Sequence, residues 1–234
     1  MTTSLLNSLL RALLRWGAAL VFCLPLRHRT HFWARACGML LPLLLLAQLL
    51  DPLAQSTTLW QQQLLLLVLY VSFFALLGGM IYLCTDINKK GAMYCAVWSL
   101  LIAQCAYEGW CFLELQFARY GHPLNMASPW AVLVQLLSGA VFFAAVYILL
   151  ARQLPYKGEY HIGPRQLFSA FFIGILFMVQ AAVLDNFRAE QFPRSVIATI
   201  LIGQFYFITL LYFQSELFKK SAMEKEMSEL NLLY

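Results

Sequence analysis

Long apolar runs separated by short polar stretches dominate the chain. Six of them are long enough for a helix to cross the hydrocarbon core of a bilayer, which takes about 20 residues. They lie at Phe32–Leu50, Gln63–Cys84, Ala92–Leu113, Trp130–Ala151, Gln166–Leu184 and Ser195–Phe213. None alternates polar and apolar residues, as the strands of a membrane β-barrel do. The pattern therefore predicts an all-α fold, a polytopic bundle of transmembrane helices.

A seventh run, Leu5–Leu26, is also long enough to span, but it contains Arg11 and Arg15 on one helical face. An arginine at the centre of a membrane helix costs about 2.5–3.5 kcal/mol, and less where its side chain reaches the interface. Either the segment spans with both arginines near its first end, or it lies along the interface as an amphipathic helix. The sequence thus predicts six or seven spans.

The composition agrees with a membrane protein. Hydrophobic residues make up 62% of the chain, charged residues make up 12%, and the mean hydropathy is +0.71. Soluble domains have about 45–50% apolar and about 25% charged residues. A water-soluble enzyme, a disordered chain and a disulfide-rich secreted module are therefore excluded. The net charge of +5 does not indicate nucleic acid as a partner, because membrane proteins collect basic residues in their cytoplasmic loops.

The basic residues predict the orientation in the plasma membrane. Eleven of them fall in one set of loops and the C-terminal tail, and three fall in the opposite loops. The first set consists of Arg27, Arg29, Arg35, Lys89, Lys90, Arg152, Lys157, Arg165, Lys219, Lys220 and Lys225. By the positive-inside rule this set, and with it the C-terminus, is cytoplasmic. The side of the N-terminus depends on whether the first segment spans.

The chain changes character after Phe213, which divides it into a predicted membrane bundle, 1–213, and a predicted cytoplasmic helix, 214–234. The tail has no glycine or proline, and its charges alternate in sign. Its apolar residues follow the spacing of a coiled-coil seam, at Met223, Met227, Leu230 and Tyr234. The seam covers less than two heptads. It predicts either a dimerisation and signalling helix or a solvated continuation of the last span.

Polar residues inside the predicted spans concentrate in the outer half of four helices. They are Gln104, Glu108, Gln135, Gln180, Asp185 and Gln204. Polar groups are costly in hydrocarbon, so their position is informative. One interpretation is hydrogen bonding between helices that holds the bundle together. The other is an outward-facing ligand pocket, with Glu108 as its ionisable group.

No catalytic constellation is present in the sequence. It contains no glycine-rich phosphate loop, no nucleophile elbow and no zinc-protease motif. His28 and His31 could share a helix face, but no third metal ligand lies near them, and none of the six cysteines forms a C-x-x-C pair. We therefore expect no metal and no cofactor, and we find no catalytic motif in this chain.

The chain resembles the membrane sensor region of GHKL-type histidine kinases, the group that includes the Agr-like quorum-sensing receptors. The residues that carry the resemblance are LPLRHRTHFW at 24–33, AMYCA at 92–96 leading to Gln104, KGEY at 157–160, and the charged tail KKSAMEKEMSELNLLY. The resemblance implies a homodimeric receptor of a two-component system that senses an extracellular ligand, such as a peptide, and relays the signal through its C-terminal helix.

In that family the tail helix continues into a hairpin with the phosphoacceptor histidine and then into an ATP-binding domain. No histidine follows His161 here, so the kinase domain expected downstream is absent from this chain. Two other functions remain open at this point. A small transporter or permease component is one, although the chain has no internal repeat. A membrane scaffold is the other, since packing helices alone would suffice for it.

Overall fold

The computed structural model describes residues 2–56, 59–119, 129–153, 162–188 and 194–233. It is all-helical, with 90% of residues in helix, and the described residues form no strand. The helices are α1 (Thr2–Cys23), α2 (Phe32–Gly38), α3 (Leu40–Ser56), α4 (Leu59–Cys84), α5 (Lys89–Arg119), α6 (Pro129–Leu149), α7 (Pro164–Arg188) and α8 (Arg194–Leu233). A short 3-10 turn, Ala151–Gln153, follows α6. The prediction of an all-α fold is confirmed.

Four helical segments among the described residues are long and apolar enough to cross a membrane. They are Phe32–Leu49, Leu67–Cys84, Lys89–Glu114 and Trp130–Leu149. A shorter apolar helical stretch, Pro164–Gln180, lies in α7. The chain therefore has the helices of a membrane protein. A total of six or seven spans stays a prediction.

Helix α5 is the centre of the bundle. It packs against α1, α4, α6, α7 and α8, and most of its side chains are buried between them. By contrast, α6 leaves large apolar side chains exposed along its length, including Leu133, Leu137, Val141 and Ile148. Such a surface suits a lipid environment, because apolar side chains that face the acyl chains are not exposed to water. The polar residues Ser99, Gln104 and Glu108 of α5 are thus enclosed by protein.

The apolar run Phe32–Leu50 is helical with a local interruption at Met39, whose backbone stays in the right-handed helical region and whose N–H donates to the carbonyl oxygen of Arg35 at 3.1 Å. Helix α2 ends at Gly38, Met39 forms a turn, and α3 begins at Leu40. Proline has no N–H, so Pro42 cannot donate a hydrogen bond to the carbonyl of Gly38 four residues before it. The interruption at Met39 therefore lies directly after the carbonyl group of Gly38, which receives no hydrogen bond from Pro42.

Helix α1 lies within the bundle, packed against α3, α4, α5 and α6. The indole N–H of Trp16 donates to the carbonyl oxygen of Ala36 at 2.7 Å. Arg15 is buried, with its guanidinium carbon 3.9 Å from the centroid of the Phe73 ring. The sequence allows the Arg15 side chain to extend to an interface. In the structure it points inward and lies over the face of the Phe73 ring. Cation–π attraction in a desolvated site is worth about 2 kcal/mol, which offsets part of its burial cost.

The predicted tail is the continuation of the last bundle helix. Helix α8 is 40 residues long and passes the boundary at 213/214 without a break. Met223 and Met227 of the predicted seam are 62% and 64% exposed. The side chain of Leu230 and the whole of Tyr234 lie outside the described residues. The described part of the seam is therefore available to a partner, while dimerisation itself stays a prediction.

Candidate functional site

A polar contact set joins α5, α7 and α8 and establishes their register. The side chain of Tyr94 on α5 lies near those of Gln166 on α7 and Ser215 on α8, while the Ser215 hydroxyl donates to the Tyr212 carbonyl of its own helix at 2.8 Å. One residue before Ser215, the side-chain amide of Gln214 donates to the hydroxyl of Ser169. We call these five residues the clamp. Most of the polar residues predicted from the sequence lie toward the other end of these helices, and the clamp was not predicted.

The clamp shows which polar residues share a level in the bundle. Gln204 lies eleven residues before Ser215 on α8, about 16 Å along the helix axis at 1.5 Å per residue. Gln104 lies ten residues after Tyr94 on α5, which is about 15 Å in the same direction. The two glutamines are therefore at nearly the same depth. We call the predicted polar residues at this depth the distal layer: Gln104, Glu108, Gln135, Gln180 and Gln204.

The α5 part of the distal layer is a hydrogen-bonded pair. The amide of Gln104 donates to a carboxylate oxygen of Glu108 at 2.8 Å. Glu108 is only 1% exposed, and Gln104 is also buried. The pair forms because residues four apart lie one above the other on a helix face. The structure thus encloses an ionisable carboxyl group in protein, away from both ends of the helix.

Gln135 brings α6 into the layer next to Trp110 of α5. Trp110 packs against Ala131 and Val134, the latter being the neighbour of Gln135 in sequence. Both Trp110 and Gln135 are buried. The indole N–H of Trp110 and the side-chain oxygen of Gln135 have no hydrogen-bond partner among the described residues. A buried donor and a buried acceptor are therefore both left open at the contact between α5 and α6.

The remaining members of the layer come from α7 and α8. A Cβ atom at Gly203 would lie 2.7 Å from the side-chain nitrogen of Gln180, so these helices approach closely here. The next residue, Gln204, is completely buried, and neither polar atom of its amide has a hydrogen-bond partner among the described residues. Asp185 lies in α7, and its side chain is outside the described part of the structure. The layer thus forms two groups that share α5 as a neighbour.

Two arginines complete the layer and were not part of the predicted site. Arg11 donates a hydrogen bond to the hydroxyl of Tyr107, and its guanidinium carbon lies 4.6 Å from the centroid of that ring. Tyr107 directly precedes Glu108, so α1 supplies positive charge at the depth of the buried carboxyl group. Arg15 lies one turn from Arg11 on the same helix. The signal for this role was present in the sequence, as an i,i+4 arginine pair in an otherwise apolar run.

The distal layer and its neighbours contain both charged and neutral polar groups. They offer guanidinium groups, a carboxyl group, an indole N–H and amides, all held by helices. Among the described residues there is no group of three or more histidines, cysteines or acidic residues that could hold a metal ion. All six cysteines are free thiols.

Comparison of the chain with protein-family models, with curated proteins and with solved structures found no match. The functional assignment therefore depends on the geometry of the distal layer and on its connection to α8.

The close contact at Gly203 makes a direct test of the packing of the layer. We expect Gly203→Ala to be less stable than Gly79→Ala by up to about 1 kcal/mol, because the new methyl group displaces the flexible end of the Gln180 side chain. Gly79 is the matched control, since a Cβ atom there meets nothing within 4 Å. The measurement is the free energy of unfolding in mixed detergent micelles. Equal stability of the two variants would mean that the amide of Gln180 is not held against Gly203.

Proposed function

We propose that this protein is the membrane sensor region of a signalling receptor of the histidine-kinase type. In this proposal a bundle of six or seven spans lies in the plasma membrane with its C-terminus in the cytoplasm. The distal layer binds a ligand from outside, and α8 relays the binding event. The observation that supports the proposal best is the completely buried Gln204, whose unpaired amide lies on the same helix as the exposed Met223 and Met227.

The unpaired groups of the distal layer favour a ligand. Leaving a polar group without a hydrogen bond in an apolar interior costs about 1–3 kcal/mol by protein mutational data. Native proteins therefore pair almost all such groups, and an exception calls for an explanation. The Gln204 amide is one such exception, and the Gln135 oxygen and the Trp110 N–H are two more at the contact between α5 and α6. A ligand that carries donors and acceptors would satisfy the open groups at the contact where it binds.

The route from the layer to the tail is a single helix. Signalling requires two arrangements of the bundle that the ligand stabilises to different extents. Because α8 is continuous, a change of its position at Gln204 is transmitted to Met223 and Met227 without an intervening hinge. In a homodimer paired through this seam, such a change alters how the two tails contact each other.

The test uses the purified full chain and size-fractionated spent culture medium of the host bacterium. The first readout is the midpoint of thermal unfolding. The second is photo-crosslinking between tails from benzoylphenylalanine placed at position 227. We expect one fraction to raise the midpoint and change the crosslinking of the wild type, and to do neither in Glu108→Gln and Gln135→Leu. The matched control is Ser72→Ala, because that hydroxyl donates only to the Val68 carbonyl of its own helix, at 2.8 Å.

The possible outcomes separate the proposal from its alternatives. A wild-type response that is retained in both distal-layer variants contradicts the ligand pocket. Accumulation of a medium component inside liposomes that contain the protein would support a transporter instead. A protein that responds to no fraction, but retains a second protein through its tail, would support a scaffold.

A further inference from the structure

Two loops at the end of the bundle opposite to the distal layer are joined into one rigid unit. The backbone N–H of Arg29 donates to the carbonyl oxygen of Cys84 at 3.0 Å, and that of Asp86 donates to the carbonyl oxygen of Arg27 at 2.8 Å. His28 and Thr85 form an antiparallel bridge between these bonds. We call residues 24–35 and 83–90 together the bridge surface. Its backbone is held in place without any ligand.

The bridge surface has an excess of positive charge. It contains five basic residues, Arg27, Arg29, Arg35, Lys89 and Lys90, and a single acidic residue, Asp86. The carboxylate of Asp86 is already engaged, since it lies 3.6 Å from the guanidinium of Arg29. Arg35 donates to the carbonyl oxygen of Leu83 at 2.8 Å, which holds its charge at this end of α4. The exposed Arg27, Lys89 and Lys90 are left without an acidic counter-charge in these loops.

Apolar side chains border the charged residues. Trp33 is 60% exposed, and Leu24 and Leu83 are also exposed. The Trp33 ring packs on Phe32 with centroids 5.1 Å apart, and Phe32 packs on His28 at 4.1 Å. The exposed indole is therefore connected, through its edge-to-face contact with Phe32 and the contact of Phe32 with His28, to the bridge that His28 forms with Thr85. Tryptophan favours the level where hydrocarbon meets headgroups.

We propose that the bridge surface is a binding site for an anionic phospholipid. The phosphate of the headgroup contacts Arg27, Lys89 and Lys90, and the acyl chains lie along Trp33, Leu83 and Leu24. A phospholipid fits because it combines a negative charge with an apolar body, and the bridge surface has both exposed basic residues and exposed apolar residues. The proposal does not depend on the receptor function, since it uses the other end of the bundle.

The experiment compares lipids on the purified full chain by native mass spectrometry. The probes are phosphatidylglycerol, phosphatidylcholine and soluble glycerol 3-phosphate. The test variant is Arg27→Ala/Lys89→Ala/Lys90→Ala. The matched control removes three exposed basic residues elsewhere, as Arg152→Ala/Arg165→Ala/Lys220→Ala. Circular dichroism confirms that both variants keep their helix content.

We expect the wild type and the control variant to prefer phosphatidylglycerol over phosphatidylcholine, and the test variant to lose at least about tenfold of that preference. Each basic side chain near an anionic headgroup contributes about fivefold in affinity, so the loss should exceed the scatter between variants. Trp33→Ala should weaken the binding of both phospholipids.

Three results would overturn the proposal. The first is equal retention of the two phospholipids by the wild type. The second is an equal loss in the test and control variants, which would indicate only the general attraction of net charge. The third is competition by glycerol 3-phosphate at concentrations similar to those of the lipid, which would assign the surface to a soluble phosphate.

Discussion

Gln204→Leu is expected to stabilise the protein by about 1–3 kcal/mol and to abolish the response to ligand. Leucine has a similar size, and it removes an amide that is completely buried with both polar atoms unpaired among the described residues. Replacing an unsatisfied polar group by an apolar group of the same shape recovers its desolvation cost. The free energy of unfolding in mixed micelles measures the first effect, and tail crosslinking from position 227 measures the second.

The control for this result is Gln166→Leu. Gln166 is also buried, but its side chain interacts with Tyr94, so the same substitution should lower the stability. Opposite signs at two glutamines in neighbouring helices would identify Gln204 as a residue retained for binding. If Gln204→Leu destabilises the protein as Gln166→Leu does, the amide of Gln204 holds the bundle together, and the ligand pocket loses its main support.

A double-mutant cycle between Arg15 and Phe73 should give a coupling energy of about 2 kcal/mol, the size of a desolvated cation–π interaction. The single variants are Arg15→Leu and Phe73→Leu, and the quantity measured is again the free energy of unfolding. The large coupling is expected because the guanidinium is buried 3.9 Å from the ring centroid, where neither water nor salt screens the attraction.

Phe177 provides the control cycle with Arg15. It is also completely buried, but it pairs with Phe207 at a centroid distance of 6.4 Å. Arg15→Leu and Phe177→Leu should be additive to within about 0.5 kcal/mol, as distant sites are. A coupling between Arg15 and Phe73 that is no larger than this would mean that the arginine is stabilised by other groups.

The all-helical fold followed from the sequence because uniformly apolar runs of this length leave few alternatives. A backbone that crosses hydrocarbon must pair its own polar groups, and a helix does so locally. Pro42 indicates a distortion of the second span, and the interruption at Met39 lies three residues before it. Proline removes one hydrogen bond in any helix, and whether that produces a kink or a full break depends on the contacts of the two halves.

The candidate site could be predicted only in part. The pairing of Gln104 with Glu108 follows from their spacing on one helix, which tertiary structure does not change. The burial of Gln204 does not follow, since it depends on which face of α8 meets the other helices. The contact of Arg15 with Phe73 does not follow from the sequence either, for a related reason. From the sequence, only the free-energy cost of placing an arginine in lipid can be judged. In the structure, Arg15 contacts the ring of Phe73, a residue 58 positions away.

The clamp holds one point of α8 against α5 and α7, and α8 extends from this point in both directions. Gln204 lies ten residues to one side of Gln214, and Met227 lies thirteen residues to the other, so the two arms measure about 15 Å and about 20 Å. A helix pivoting at the clamp converts an inward pull of about 1 Å at Gln204 into an outward swing of about 1.3 Å at Met227. The direction reverses and the amplitude grows. In the proposed dimer, the separation of the two tails would then depend on how firmly Ser169 and Tyr94 hold α8 at this point.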